Sequence, residues 1–440
     1  MPNPAPNSSS TSQSAHTPRL WPIATVMATG IFTTTFLQLQ GLGQLPFYHL
    51  LMKNMGLDSN VAATFMSLSM TPWMFKTIAG LLVDGVPIFG SRRRSYLILS
   101  ALAAGILWLT MGCVLPNYKL LLWLAISMNV ALVFGSTTSG GLLVEAGQRF
   151  KVSGRLSSLR VFAQNLGAAL GLPVGGLFAD HLMGGHHPLF WTSLAAILPL
   201  TWMFVCTWFF LEEPPLPARV INERSVLKQA EAVVVSIWTQ ITNVLCWQML
   251  MPAALIFFIQ AVPTFRSTCL YEYQTKTLNY SDTAIGFLGL AGYGAALLSS
   301  VVYVWWCRKA SLRTSLYLSI FITALSALPY LFYGPYTPYM LRTISIEGGG
   351  MFLLYLAYLP LFDLAVRCTP KGSEALGYSL LIGVWNFGLN LGTKTGPLLY
   401  ERWFHRDMNH LIWLNAGGTL AGLVLVFFMP RYLVDQREGA

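Results

Sequence analysis

The stretch Thr71–Ser95, TPWMFKTIAGLLVDGVPIFGSRRRS, decides how the rest of the chain is interpreted. It begins in apolar surroundings that hold a single charge, Lys76, and then passes an acid at Asp84, a turn containing proline and three consecutive arginines. A second apolar run, 96–115, follows directly. Two apolar helices joined by a short basic turn are typical of a membrane hairpin whose loop faces the cytoplasm. This stretch therefore predicts an integral membrane protein.

The composition agrees with a chain that is built for lipid. Of the 440 residues 54% are hydrophobic and 10% are charged, whereas soluble domains carry about 25% charged residues. We attribute the net charge of +10 to basic residues held on one side of a membrane rather than to a nucleic-acid partner. The six cysteines show no metal-ligand or redox spacing, so we expect neither a metal nor a cofactor. Nucleophile elbow, phosphate-binding loop and paired zinc ligands are absent, which argues against an enzyme and against an ATP-driven pump.

Twelve apolar segments can be placed between the helix breakers. They predict an all-α membrane protein with twelve transmembrane helices in two six-helix halves and with both termini in the cytoplasm. The halves would span 21–211 and 240–430, with a disordered tail at 1–20, a second tail at 431–440 and a cytoplasmic linker at 212–239 whose later part could form a surface helix. The segments are 22–50, 60–83, 95–115, 119–146, 157–181, 188–211, 240–264, 282–306, 312–333, 336–366, 373–400 and 409–430.

The basic residues support this orientation. When both termini lie inside, the inside loops hold about three times as many Lys and Arg residues as the outside loops. Arg160, at the start of the fifth segment, is counted here with the inside residues.

The two halves also resemble each other. The fifth segment contains Asn165 followed by Gly167, Gly171 and Gly175, and the eleventh repeats this spacing from Asn386 through Gly388, Gly392 and Gly396. Such glycine ridges let helix backbones approach closely in lipid. The repeat predicts a duplicated architecture in which these two segments hold equivalent positions.

Three basic residues lie within the apolar segments, namely Lys76, Arg342 and Lys394. A Lys or Arg at mid-span costs about 2.5–3.5 kcal/mol even on the mildest insertion scale, so we expect all three to face a polar passage for substrate. For Lys76 and Arg342 the alternative is a buried ion pair that only holds the fold. Glu347 is the first candidate for proton coupling. Glu145 is a further candidate, although its position favours a charge network at the cytoplasmic face.

Polar stripes mark two further helices. Asn386, Asn390 and Lys394 recur every four residues in the eleventh segment, and Gln40, Gln44 and Tyr48 do so in the first. Broken, polar helices near the midplane are where transporters bind substrate, although a lone amide in a membrane helix more often bonds a neighbouring helix. Aromatic side chains at Trp73, Tyr355 and Trp385 lie near these residues in the sequence and could stack on a ring.

Several motifs resemble the folate–biopterin transporter family, a branch of the major facilitator superfamily. They are Pro72-Trp73-x-x-Lys76, Asp84-x-x-Pro87-Ile88-x-Gly90, Arg93-Arg94-x-Tyr96, Val144-Glu145, Ser158-Leu159 and Cys368-x-Pro370-Lys371-Gly372-Ser373-Glu374-Ala375 with Asn386 downstream. The chain departs from the family pattern at Thr77, where proline is usual, and at Ser136 and Gly140, where the family offers aspartates. These departures bear on substrate and coupling rather than on the fold.

The resemblance implies the major facilitator fold and a cytoplasmic gate in which an acid caps a helix end and pairs with arginines. The residues expected at this gate are Asp84, Arg92, Arg93, Arg94, Lys371 and Glu374.

The function implied is proton-coupled symport of a folate- or pterin-like or other aromatic organic anion by alternating access. Two alternatives remain open: a carrier of another bulky solute, such as a siderophore or a muropeptide, and a membrane receptor on the same fold that does not transport. We expect a monomer in the inner or plasma membrane, crossing it several times, whose partners are the organic anion, protons and the lipid bilayer.

Overall fold

The chain is helical throughout the part that the structure, a computed structural model, describes. That part comprises residues 19–39, 41–57, 59–182, 186–213, 235, 238–278, 280, 282–334 and 340–437. It contains no β-strand, which confirms the predicted all-α class. Gln40, nearly all of the predicted linker with its surface helix, and most of the N-terminal tail lie outside the described residues.

Eight helices form the first half. They are α1 (Leu20–Phe36), α2 (Gln44–His49), α3 (Ser59–Ser69), α4 (Lys76–Gly85), α5 (Arg94–Cys113), α6 (Tyr118–Arg149), α7 (Ser153–His181) and α8 (Phe190–Phe210). A π-helical turn at Leu50–Asn54 follows α2, and a 3₁₀ turn at Thr71–Phe75 separates α3 from α4.

The second half begins with helical residues at 238–244 and continues through eight helices. They are α9 (Trp247–Glu272), α10 (Asp282–Trp306), α11 (Leu312–Ala327), α12 (Met340–Cys368), α13 (Glu374–Leu398), α14 (Met408–Ala421), α15 (Leu423–Phe427) and α16 (Arg431–Val434). π-Helical turns follow α9 at Tyr273–Thr277 and α13 at Leu399–Trp403, and a 3₁₀ turn at Leu328–Phe332 follows α11.

Within the described ranges, nine helices are long and apolar enough to cross a membrane. The other three predicted segments are helical but interrupted or more polar. The first breaks between Phe36 and Gln44, where two glycines loosen it, and the second breaks at the 3₁₀ turn that contains Pro72. The eleventh, α13, carries the polar stripe. The number of spans and the side on which the termini lie therefore stay predictions.

The two predicted glycine ridges each pack a helix against backbone. A methyl group added at Gly167 in α7 would lie 2.9 Å from the carbonyl oxygen of Phe32 in α1. One added at Gly388 in α13 would lie 2.9 Å from the carbonyl oxygen of Phe257 in α9. Because α7 on α1 and α13 on α9 are the same pairing in the two halves, the contacts agree with the predicted duplication.

Replacing Gly392 with alanine should destabilise the protein, because the new methyl group would lie 2.5 Å from the carbonyl oxygen of Ala261. Overpacking of this kind costs about 1–3 kcal/mol. The matched control is Gly417→Ala in α14, where a methyl group meets no atom within 4 Å. We expect a lower thermal midpoint in detergent for Gly392→Ala and an unchanged one for Gly417→Ala; equal midpoints would contradict the packing described here.

The halves meet closely at the end of the molecule that carries the loops 86–93, 150–152 and 369–373, which we call the basic end. Here α4 packs against α13, α6 against α13 and α7 against α10. Gly80 of α4 lies so near α13 that an added methyl group would be 2.7 Å from the carbonyl oxygen of Ala375. Gln148 of α6 donates hydrogen bonds to the carbonyl oxygens of Val366 and Thr369, at 2.8 and 2.7 Å. This arrangement closes the basic end.

Candidate functional site

Lys76 faces the interior of the first half. It begins α4 directly after the 3₁₀ turn, and it is only 5% exposed. Its Nζ donates a hydrogen bond of 2.8 Å to Ser136 Oγ and lies 5.5 Å from the centre of the Trp73 ring. Trp73 in turn donates from Nε1 to Asn129 Oδ1 at 2.9 Å. Two of the predicted site residues, Lys76 and Trp73, are therefore held together against α6.

Arg160 is a second cation at this place, and the sequence analysis missed it. The sequence analysis counted it with the inside residues, whereas in the structure α7 begins at Ser153 and Arg160 lies two turns into the helix. Its guanidinium carbon is 4.3 Å from the centre of the Phe362 ring and 5.8 Å from that of Tyr378, both in the other half. Its Nη1 is buried without a hydrogen-bond partner. The signal was available, since the residue falls inside the apolar segment 157–181.

Lys76 and Arg160 are near enough for their positive charges to repel each other. In the part of the chain that the structure describes, neither cation has a carboxylate within ion-pair distance. The family resemblance predicts aspartates at two positions near these cations, and this chain has Ser136 and Gly140 there instead. Ser136 supplies only a hydroxyl, and a methyl group at Gly140 would already lie 2.8 Å from Cδ1 of Tyr378, which leaves no room for an acid. Uncompensated buried charge is costly, so the pair favours an anion from outside the protein.

Aromatic rings from the second half lie next to Arg160. The centre of the Trp385 ring lies 4.5 Å from that of Tyr358 and 4.9 Å from that of Phe362. The ring centres of Tyr355 and Tyr358 are 5.9 Å apart. Tyr355 and Trp385 were predicted. Tyr358 and Phe362 were missed, although their spacing of three and seven residues from Tyr355 places all three on one face of α12. The four rings form a continuous aromatic wall, and Phe362 joins it to Arg160.

Other predicted site residues lie elsewhere. Arg342 lies beside Gly334, where an added methyl group would be 2.5 Å from its Nη2. Asn386 is half-buried, whereas Asn390 and Lys394 are exposed on α13. Gln44 is half-buried at the start of α2. Contact of these residues with substrate stays a prediction.

Glu347, the first candidate for proton coupling, lies in a network of hydrogen bonds within the second half. Tyr330 donates to Oε2 at 2.8 Å, and Tyr333 and Gln274 donate to Oε1 at 2.7 and 3.2 Å. The guanidinium of Arg266 covers the Tyr330 ring at 3.6 Å. The carboxylate of Glu347 thus accepts hydrogen bonds from three side chains of its own half.

An ion cluster lies at the basic end and joins the two halves. Arg93 is 3% exposed, and its guanidinium lies 2.7 Å from Asp84, 3.5 Å from Glu374 and 4.0 Å from Glu145. Burial opposes the charge of Arg93, but the surrounding carboxylates outweigh this cost and raise its pKa. Asp84 also accepts the backbone N–H of Leu376 at 2.7 Å. An acid of the first half thus caps the N-terminus of α13 in the second half, where the helix dipole favours negative charge.

The neighbouring arginines have different partners. Arg94 donates to the carbonyl oxygen of Trp208 at 2.9 Å, and the carboxylate of Glu213 accepts the backbone N–H groups of Arg92 and Arg94 at 3.2 and 3.3 Å. Glu213 therefore caps the N-terminus of α5, a role that the sequence did not reveal. Lys371 is exposed and lines a cavity at the basic end.

Comparison with known proteins agrees with this geometry. Residues 39–333 match the model of the BT1 family. The chain is 27% identical over 374 residues to a folate-biopterin transporter of Synechocystis sp., covering 82% of this chain and 71% of that protein. It is 24% identical over 389 residues to folate transporter 1 of Plasmodium falciparum, covering 84% and 72%.

Solved structures show the fold. The proton:xylose symporter XylE superposes with a TM-score of 0.65 at 14% identity, covering 93% of this chain and 96% of that one. The human organic anion transporter MFSD10 superposes with a TM-score of 0.66 at 13% identity, covering 93% and 100%. Both are transporters of the major facilitator superfamily rather than enzymes. The chain is thus a multi-pass membrane transporter with the major facilitator fold, and it belongs to the BT1 family.

Proposed function

We propose that this protein is a secondary active transporter that moves a folate- or pterin-like or other aromatic organic anion across the inner or plasma membrane, as a monomer, by proton-coupled symport. One observation carries the proposal: Lys76 and Arg160 are two cations without an acidic partner among the described residues, and Arg160 lies against Phe362 in the aromatic wall of the other half. The relatives named for folate and biopterin transport support this choice of substrate.

The chemistry of the site suits such a ligand. A carboxylate about 4 Å from one cation gains on the order of 4 kcal/mol at the effective dielectric constant near a protein surface. A ring stacked on Trp385 or Tyr358 adds about 0.5–1.5 kcal/mol beyond the area it buries. Because the cations belong to one half and the wall to the other, an aromatic anion would touch both halves at once.

The contacts between the two halves support alternating access. The basic end is closed by the Asp84–Arg93 ion pair and by the bond from Leu376 to Asp84. Opening this end requires breaking these contacts while each half moves as a unit. The glycine ridges keep α7 on α1 and α13 on α9 within their own halves.

The test of this function is uptake by the purified protein in proteoliposomes. Labelled folate and biopterin should accumulate, faster with a pH gradient, while xylose, a muropeptide and a ferric siderophore should not. Accumulation of a muropeptide or siderophore alone would favour the alternative carrier. Absence of uptake for every solute would favour a receptor, and uptake that ignores the pH gradient would exclude proton coupling.

Glu347→Gln should separate coupling from transport. The amide cannot take up a proton but is nearly the same shape, so we expect folate uptake to lose its response to the pH gradient while exchange of internal for external folate persists. Glu145→Gln is the comparison variant, because Glu145 belongs to the ion cluster and its side chain is 44% exposed. If Glu347→Gln keeps its full response and Glu145→Gln loses it, the coupling site is Glu145.

A further inference from the structure

A cavity of about 520 Å³ opens at the basic end, away from Lys76 and the aromatic wall. This volume falls in the range of small-molecule sites, which is about 300–1,000 Å³. Its lining comes from the last turns of α6 and α12 with the loops that follow them, from the starts of α7 and α9, and from α16 with the residues after it. Neither Lys76 nor Arg160 nor any ring of the aromatic wall lines this cavity.

Four basic side chains line the cavity, Lys151, Arg367, Lys371 and Arg437, and none of its lining residues is acidic. Arg367 is bound to Asp363 at 2.9 Å. The other three form no ion pair within the described part of the chain. Three positively charged side chains that line one concave surface, with no carboxylate beside them, form a suitable binding site for a ligand with several negative charges.

The walls of the cavity join the two halves. Lys151 belongs to the first half, whereas Lys371 and Arg437 belong to the second. Its floor includes hydrogen bonds that cross between the halves, because Gln148 donates to the carbonyl oxygen of Thr369 at 2.7 Å and Arg367 donates to Ser153 Oγ at 3.1 Å. A ligand held by both walls would therefore favour the arrangement in which the basic end is closed.

The C-terminal residues complete the cavity and are fixed in place. Arg367 donates from Nη1 to the carbonyl oxygen of Gln436 at 2.8 Å, while Leu433 and Val434 are buried. Arg437 is thus presented to the cavity by an anchored segment.

We propose that this cavity binds an organic phosphate carrying several negative charges, and that the bound phosphate slows transport by holding the two halves together. Lysine and arginine side chains both bind phosphate oxygens through charge-assisted hydrogen bonds, arginine in a two-pronged fashion. In the predicted orientation the cavity opens to the cytoplasm, so the phosphate comes either from a dissolved metabolite or from the headgroup of an inner-leaflet lipid.

The binding experiment uses full-length protein in phosphatidylcholine nanodiscs, titrated calorimetrically with inositol hexakisphosphate. In a second arm, nanodiscs containing phosphatidylinositol 4,5-bisphosphate replace the soluble probe, and the thermal midpoint is measured. The wild type should show saturable binding in the first arm or a raised thermal midpoint in the second. Binding in the first arm indicates a dissolved phosphate, and a raised midpoint in the second indicates a lipid headgroup. Lys151→Gln combined with Arg437→Gln should weaken binding at least tenfold or remove the midpoint shift.

The matched control is Arg308→Gln combined with Lys309→Gln, which removes the same charge from exposed residues that do not line the cavity. This pair should bind like the wild type. Equal weakening by both pairs, or no binding in either arm, would overturn the proposal. If the phosphate binds but the uptake rate of proteoliposomes does not change, the claim that bound phosphate slows transport is wrong. Because the binding arms need no transported solute, they can fail or succeed independently of the proposed function.

Discussion

Lys76→Gln is expected to lower folate uptake about 100-fold or more while the protein stays folded and inserted. The glutamine can still bond Ser136 but carries no charge, so the site loses an attraction on the order of 4 kcal/mol for a nearby carboxylate. Removing a buried cation that lacks an acidic partner leaves no carboxylate stranded, which is why the fold should survive. Initial uptake rates and the thermal midpoint, measured on the same preparation, check both statements.

Arg160→Gln should act in the same direction, because its guanidinium is a second positive charge near Lys76 and lies against Phe362 of the aromatic wall. The control is Lys119→Gln, which removes an exposed charge from the first turn of α6 and should leave uptake unchanged. Arg342→Gln tests whether the predicted site extends to the start of α12, since slower uptake would include Arg342 in the site and a wild-type rate would exclude it. If both Lys76→Gln and Arg160→Gln take up folate at the wild-type rate, these residues do not form the substrate site.

Arg93→Gln is expected to be the most destabilising change at the basic end. It leaves Asp84, which is 2% exposed, without its cation, and breaking a buried ion pair in this way costs about 3–5 kcal/mol. Denaturant titration of the solubilised protein measures the loss. Arg94→Gln is the control, because Arg94 bonds a carbonyl oxygen instead of a carboxylate. The double variant with Asp84→Asn should recover part of the stability.

The same change should open the basic end. Cys307 reports on this, since it is 3% exposed and packs between the halves, where a methyl group at Gly154 would lie 2.9 Å from its Cβ. Alkylation of Cys307, followed by peptide mass spectrometry, should be faster in Arg93→Gln than in the wild type. An unchanged rate together with unchanged stability would mean that Arg93 does not close this end.

The features that the sequence predicted well are those that depend on local spacing. The glycine ridges of α7 and α13 meet backbone because glycines four residues apart share a helix face, whatever the partner helix is. Asp84 and Arg93 were expected at one gate because their motif resembles that of a known transporter family.

The features that sequence reasoning missed depend on which faces of distant helices meet. Arg160 and Phe362 are about 200 residues apart, and only the packing of α7 near α12 brings them into contact. Glu213 could not be assigned to α5 for the same reason. The tyrosines around Glu347 come from a 3₁₀ turn whose direction the hydrophobic pattern does not determine.

The central claim is that Lys76 and Arg160 receive the negative group of the transported solute beside the aromatic wall. An experimental structure of the protein with bound folate tests it most directly. The account predicts a folate carboxylate within hydrogen-bond distance of Lys76 Nζ or the Arg160 guanidinium, with a ring against Trp385 or Tyr358. Folate bound elsewhere, with both cations left as they are here, would contradict it.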